Sequence, residues 1–434
     1  MHVRHLRPGA ALAAAALTAA LAAGCGSSSK SDTSSSTAAD TTAASTAATS
    51  TPAAAPSDAL GTPKAASGKP IVLGLLNIES GPVTFPEYRQ AAEAAVKYIN
   101  AYKGGIGGRP VKLESCATDG QPSTSARCAG QIVDKKPTAI LGGADTGAPG
   151  AFAVYKRAKL AYMGGIPFTP VESNAPNAVQ FYSISSGDNA ANTAYAIQKL
   201  GVKKLSILYT DDSQGKFTGL GVIAPVAKAL GAEVKAVPVS PSASDLSSVA
   251  AAAVSTSPDA IYVNSPNACP GLLKALKSVG STAKILGIDP CTSPPALKAA
   301  GAAADGLYFA QPFKSVDSGD QDTNLFLAAI KKFGSPDIAL DSIAQAGFST
   351  VMNVQAKLDP LGASGLTTPK ILAAFKSGSD TPNFMAHPYT CDGKALATAT
   401  AVCNAYQLIK QVKGDKVTTV SPDYVTGAQY LKKG

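Results

Sequence analysis

The chain has 434 residues, with 38 Lys and Arg against 29 Asp and Glu, for a formal net charge of +9. Over this length the excess is mild, and no Lys/Arg cluster with interleaved aromatics occurs, which argues against nucleic-acid binding and leaves solvated surface lysines as its ordinary source. Only three histidines are present, at positions 2, 5 and 387, so His-based catalysis has little to draw on.

Arg4 and Arg7 precede an alanine-rich apolar run that ends in Leu21-Ala-Ala-Gly-Cys25. A basic start, a short apolar core and small residues before a cut describe a secretory signal peptide over residues 1–24, and the run is too short to favour a membrane span. Leu-Ala-Ala-Gly-Cys also resembles the lipobox of bacterial lipoproteins, which implies lipidation of Cys25 as the new N-terminus; plain secretion with cleavage near Ala23 is the alternative. Removing residues 1–24 takes away both arginines and lowers the formal charge from +9 to +7. Residues 26–69 are almost entirely Ser, Thr, Ala, Pro, Gly and Asp. Such a segment buries too little apolar surface to offset ordering entropy and reads, with Cys25, as a disordered tether spanning on the order of 35–40 Å.

The remaining residues, 70–434, are enough for two domains. Ile71-Val-Leu-Gly-Leu-Leu-Asn77 is a strand-length apolar run, and Glu79-Ser-Gly-Pro82 is turn chemistry. Ala92, Val96 and Ile99 lie on one face of a helix over 87–102, with Glu87 in its first turn and Gly104-Gly105 as a left-handed stop. Arg109-Pro-Val-Lys-Leu113 alternates as a second strand, which completes a βαβ unit. In such sheets ligands sit beyond the carboxyl ends of the strands, so the loop 79–86 is the first candidate site.

The same alternation continues through a helix at 122–135, a strand at 138–143, a helix at 148–159 and a strand at 160–165. After a strand-like run at 179–184 the rhythm restarts, with helices at 189–200, 218–230, 245–254 and 271–279, and strands at 204–209, 233–237, 259–263 and 284–288. Beyond Gly306-Leu-Tyr-Phe-Ala-Gln-Pro312, further helices are expected at 322–333, 337–358 and 369–376.

Ser80-Gly81-Pro82, a helix ending Tyr98-Ile99-Asn100, and then Gly104-Gly105-Ile106-Gly107-Gly108 together resemble the opening of the type I periplasmic binding proteins. Within that family the nearest branch is the leucine/isoleucine/valine-binding proteins of ABC importers. The resemblance implies two Rossmann-like α/β lobes with parallel sheets, joined by a hinge crossed three times. It divides the chain into 70–185 plus 312–384 as the N-terminal lobe and 186–311 plus 385–434 as the C-terminal lobe.

It also implies which residues meet a ligand. Ser80 and Phe85 lie in the first loop, and Leu141-Gly-Gly-Ala-Asp145-Thr146-Gly147 places Asp145 and Thr146 at the start of a helix, where they either bind or simply cap it. Met163-Gly-Gly165-Ile166-Pro167 resembles the family's second ligand loop. From the other lobe, Leu286-Gly-Ile-Asp289 matches the strand end that carries an acidic residue toward a ligand ammonium, with a cap before Pro290 as the ordinary reading. Gln214 and Asn267 stand where relatives often place aromatics. A carboxylate at Asp145 would repel the carboxylate of an α-amino acid unless it points away.

Cys25 aside, the cysteines fall as Cys116/Cys128, Cys269/Cys291 and Cys391/Cys403, an even set that reads as disulfides in an exported chain. Six allow fifteen connectivities, of which sequence-local pairing is the simplest. No pair has metal-site spacing, no Gly-x-Ser-x-Gly or Walker loop occurs, and no cofactor is implied. The expectation is a non-enzymatic, lipid-anchored extracytoplasmic binding protein that takes a small polar solute and presents it to an ABC permease, with a ligand sensor of the same fold as the alternative. Cys25→Ala should leave the protein unprocessed or soluble where wild type partitions into detergent; equal partitioning of both forms would refute the anchor.

Overall fold

The computed structural model describes residues 58–431, apart from Pro82 and Asp415. The signal segment 1–24, Cys25 and residues 26–57 lie outside the described residues.

The first sheet is built from β1 (Ile71–Ile78), β2 (Val111–Thr118), β3 (Ala139–Ala144), β4 (Tyr162–Ile166) and β5 (Ala178–Val179), in the order β2-β1-β3-β4-β5. Every pairing in it is parallel. Interspersed are α1 (Pro86–Tyr98), α2 (Pro122–Asp134), α3 (Ala148–Arg157) and the single turn α4 (Pro170–Ser173). The strands are apolar on both faces because helices cover both. Leu73, Leu75, Leu141 and Met163 pack with α1 into one core, while Leu76, Ile140 and Tyr162 pack with α2 and α3 into another. Helix α1 runs into a wider π turn, Ile99–Lys103, and stops at Gly104, whose φ of 74° makes it the left-handed cap expected from the Gly-Gly pair.

The chain then passes to the second lobe through α5 (Ser186–Leu200), followed by β6 (Lys204–Thr210), α6 (Ser213–Thr218), α7 (Ala224–Ala229) and β7 (Glu233–Val239). Next come α8 (Ser247–Val254), β8 (Ala260–Asn264), α9 (Cys269–Ser278), β9 (Lys284–Gly287), α10 (Pro294–Ala300) and β10 (Tyr308–Gln311). A return to the first lobe supplies α11 (Gln321–Phe333), α12 (Ser342–Leu358), α13 (Thr368–Lys376) and a ribbon of β11 (Thr381–Asn383) and β12 (Ala386–Tyr389). Many residues of α11 and α12, with Ile371, Phe375, Met385 and Tyr389, join the core that holds α1. A third passage leads to β13 (Leu408–Lys413) and β14 (Lys416–Thr419), which close the second sheet in the order β14-β13-β10-β9-β8-β6-β7. The architecture is therefore two α/β lobes, the first on a wholly parallel sheet and the second on a parallel sheet extended by β13 and β14 through antiparallel pairings, and the chain passes between them three times.

Several elements differ from the sequence reading. The helix expected at 218–230 already begins at Ser213, because Asp212 caps it by accepting the Gly215 N–H at 2.7 Å. The helix expected from 337 begins at Ser342, where the Asp341 carboxylate accepts the N–H groups of Ile343 and Ala344, both at 3.0 Å. Of the strand expected at 179–184, Val179 pairs within β5 and Gln180 makes a lone bridge to Val402. Residues 58–69, read as part of a disordered tether, lie along the first lobe instead. Leu60 packs on its core, Ala66 N–H donates to Asn100 O (2.7 Å), and Lys64 O accepts the Gly104 N–H (2.7 Å). Composition hid this because backbone groups make most of these contacts.

The structure joins Cys116 to Cys128, Cys269 to Cys291 and Cys391 to Cys403. The first ties β2 to α2, the second ties the start of α9 to the turn after β9, and the third closes a loop in the third passage. Non-reducing peptide mapping should recover these three local pairs, and reduction should lower stability by about 3 kcal/mol per bridge. Cross-lobe pairs in the map would overturn the assignment.

Candidate functional site

The carboxyl ends of β1, β3 and β4 bring the first-lobe loops together. Asn77, buried at the end of β1, donates to Phe85 O (2.8 Å) and accepts the Ala144 N–H (3.3 Å), so one side chain positions both the first loop and the end of β3. Phe85 stacks on Phe168, beyond β4, with ring centroids 5.8 Å apart and planes inclined by 18°. Ser80 and Thr146 are exposed, and their hydroxyls donate to Thr118 O and Gly120 O at 3.2 Å.

Asp145 turns inward. It is 5% exposed, Oδ1 accepts from Thr118 Oγ1 (2.9 Å) and the Gly147 N–H (3.1 Å), and Oδ2 is buried without a partner. The carboxylate therefore supports its own loop and leaves Thr146 as the exposed side chain there. Gly165 and Ile166 are strand residues of β4, fully inside the first lobe. The neighbouring Gly164 has φ 76°, and a Cβ on it would come within 2.4 Å of Thr350, so Gly164 lets β4 and α12 pack closely, while a Cβ on Gly165 would meet Tyr162 and the backbone of Gly142.

On the second lobe Gln214 sits exposed on the first turn of α6, not in a loop, and its Nε2 donates to Ser185 Oγ (3.3 Å). Ser185 lies in the first passage with φ 84°, a conformation that costs free energy for any residue with a side chain. Asn267 is exposed just before α9.

Asp289 is the residue around which most partners gather. It follows β9, is 9% exposed, and accepts hydrogen bonds from Gln311 Nε2, Ser342 Oγ and Thr292 Oγ1 (3.3 Å for the last). Gln311, at the end of β10, accepts in turn from Lys410 Nζ on β13 (2.7 Å), and Lys410 is 3% exposed. Ser342, Gln311 and Lys410 were not singled out from the sequence. One signal was available: Lys410 interrupts the apolar run Leu408-Ile409, where a solvated lysine is out of place.

Burial and mutual repulsion shift the acids around this node. Burial, reinforced by Asp341, raises Glu87 to about 7. Burial, with Asp289 nearby, raises Asp188 to about 7 and Asp341 to about 6. Asp289 is itself raised by burial and drawn back by its hydrogen bonds and Lys410. Burial lowers Lys410 to about 8 against the pull of Asp289. The arrangement can bind and orient polar groups. Among the described residues no cluster of three or more metal-ligating side chains occurs, and no helix is long and apolar enough to cross a membrane.

The sequence matches the family described as periplasmic binding protein over residues 70–402. The chain belongs to the periplasmic binding protein family. Solved structures share the fold: the leucine binding protein LivK of Thermotoga maritima is 17% identical with a TM-score of 0.67, covering 82% of this chain and 98% of that one. LivJ of Streptococcus pneumoniae, a branched-chain amino acid transporter substrate binding protein in complex with isoleucine, is 17% identical with a TM-score of 0.66, covering 82% and 100%. A fatty acid ABC transporter substrate-binding protein from Thermomonospora curvata is 19% identical with a TM-score of 0.67, covering 83% and 94%. No curated protein matches the sequence.

The raised acids of this binding protein have a consequence for stability. A carboxyl whose folded pKa lies above its unfolded value favours folding while protonated and loses that contribution as pH rises through the folded value. Asp188, carried from 3.8 to about 7, is worth on the order of 4 kcal/mol over that window. The melting temperature should therefore fall as pH is raised from about 4.5 to 7, and Asp188→Asn should flatten the slope. Melting curves that rise through this range would contradict the assignment.

Proposed function

We propose that this periplasmic binding protein is the extracytoplasmic, lipid-anchored receptor of a branched-chain-amino-acid-type ABC importer. It takes a small polar solute between its lobes and delivers it to a membrane permease. Differential contacts of the solute with the two lobes would shift an equilibrium between lobe angles; no bond is broken. The observation that carries the reading is the two-lobe fold with its loops gathered at the carboxyl ends of β1, β3 and β4, within a family match covering residues 70–402.

The inward turn of Asp145 supports keeping amino acids in the solute class. With its carboxylate engaged by Thr118 and Gly147, the repulsion that would count against an α-amino-acid carboxylate at Thr146 is reduced. Phe85 and Phe168 offer an apolar wall to a side chain. The structural neighbours named above for leucine, isoleucine and fatty acids span solutes different enough that the class must be measured. A thermal-shift screen with neutral and charged amino acids, amides, polyols and small acids should find one class that stabilises the chain, by about 2.7 kcal/mol at a hundredfold excess over the dissociation constant. A screen with no stabilising member would count against solute capture from these classes.

A further inference from the structure

Asp289 belongs to the second lobe, carried on the turn that follows β9, whereas Ser342 opens α12, a helix of the first lobe's core. The hydrogen bond from Ser342 Oγ to Asp289 Oδ2 therefore joins the lobes directly. Both ends are buried, Ser342 at 4% and Asp289 at 9% exposure, so water competes poorly for either. The other carboxylate oxygen accepts from Gln311 on β10, and Gln311 is held by Lys410 on β13. These two strands flank the second and third passages of the chain.

We infer that Ser342 and Asp289 form a latch between the lobes, which Gln311 and Lys410 support from the two passages and which sets the lobe angle before any solute arrives. The chemistry is that of a neutral hydroxyl donating to a carboxylate, among the stronger single hydrogen bonds a protein makes. A solute group that takes Asp289 must first displace the Ser342 hydroxyl, so the latch also competes with the solute at that oxygen. The inference concerns the angle without solute, and its failure would leave the solute-binding reading untouched.

The test is an interlobe distance distribution on the full chain with no solute added, read by spin labels replacing exposed Lys156 on α3 and Lys274 on α9. Ser342→Ala should move the ratio of narrow to wide lobe angles about ten- to a hundredfold toward wide, the range expected for one hydrogen bond to a charged group. Ser342→Thr, which keeps the hydroxyl, should retain the wild-type distribution, a result that a merely steric role for this position would not give. If Ser342→Ala melts below the measuring temperature, Ser342→Cys serves, a weaker donor of similar volume, and should give an intermediate shift. An unchanged distribution in Ser342→Ala, or in Ser342→Cys where that variant is the one measured, would overturn the latch.

Discussion

Asp289 and Lys410 are buried charges that cannot stand alone. A carboxylate or an ammonium taken from water costs several kcal/mol unless it is paired and its hydrogen-bonding capacity is filled. Here the pairing runs through Gln311, which donates to the carboxylate and accepts from the ammonium. That arrangement requires β9, β10 and β13 to lie side by side in the second sheet, and it requires the N-terminus of α12 to arrive from the other lobe with Ser342 in place. The topology of three passages and the position of the node are thus one constraint. Removing Asp289 would take from buried Lys410 the stronger of its two acidic neighbours, Asp317 being the other, so substitution there acts on folding.

The two lobes, their parallel sheets and most helices were legible because apolar strand runs alternate with helical periodicity and with Gly-rich stops. Helix starts were less legible. Asp212 and Asp341 cap helices that periodicity placed several residues away, because capping is decided by one side chain and leaves little trace in a hydrophobic pattern. The backbone-mediated docking of residues 58–69 had no compositional trace at all.

The site was legible in outline only. Phe85 and the loops around Thr146 and Asp289 were placed by analogy of strand ends, and the fold does bring the first-lobe loops together. The direction of a side chain is not a property of strand order, which is why the sequence leaves Asp145 open between meeting a ligand and capping its helix, whereas in the structure it turns inward and holds its own loop. Gly165 and Ile166, read as part of a loop, lie within β4, where close packing of Gly164 against α12 and of Gly165 against β3 explains the glycines. Apart from the nearby Thr292, the hydrogen-bond partners of Asp289 lie 22 and 53 positions further on, at Gln311 and Ser342, a separation that no local motif spans.

The bridge between Cys269 and Cys291 lies two residues from Asp289 and ties its turn to the start of α9. The turn is thereby fixed to the body of the second lobe and moves with it as a unit. Any change of lobe angle must then be absorbed in the passages, where Ser185 already holds an uncommon backbone conformation. Oxidation of this one pair is therefore part of setting the carboxylate in position. A chain held in a reducing compartment would carry its central acid on a looser turn, so the position of that carboxylate depends on the redox state of the place where the chain folds.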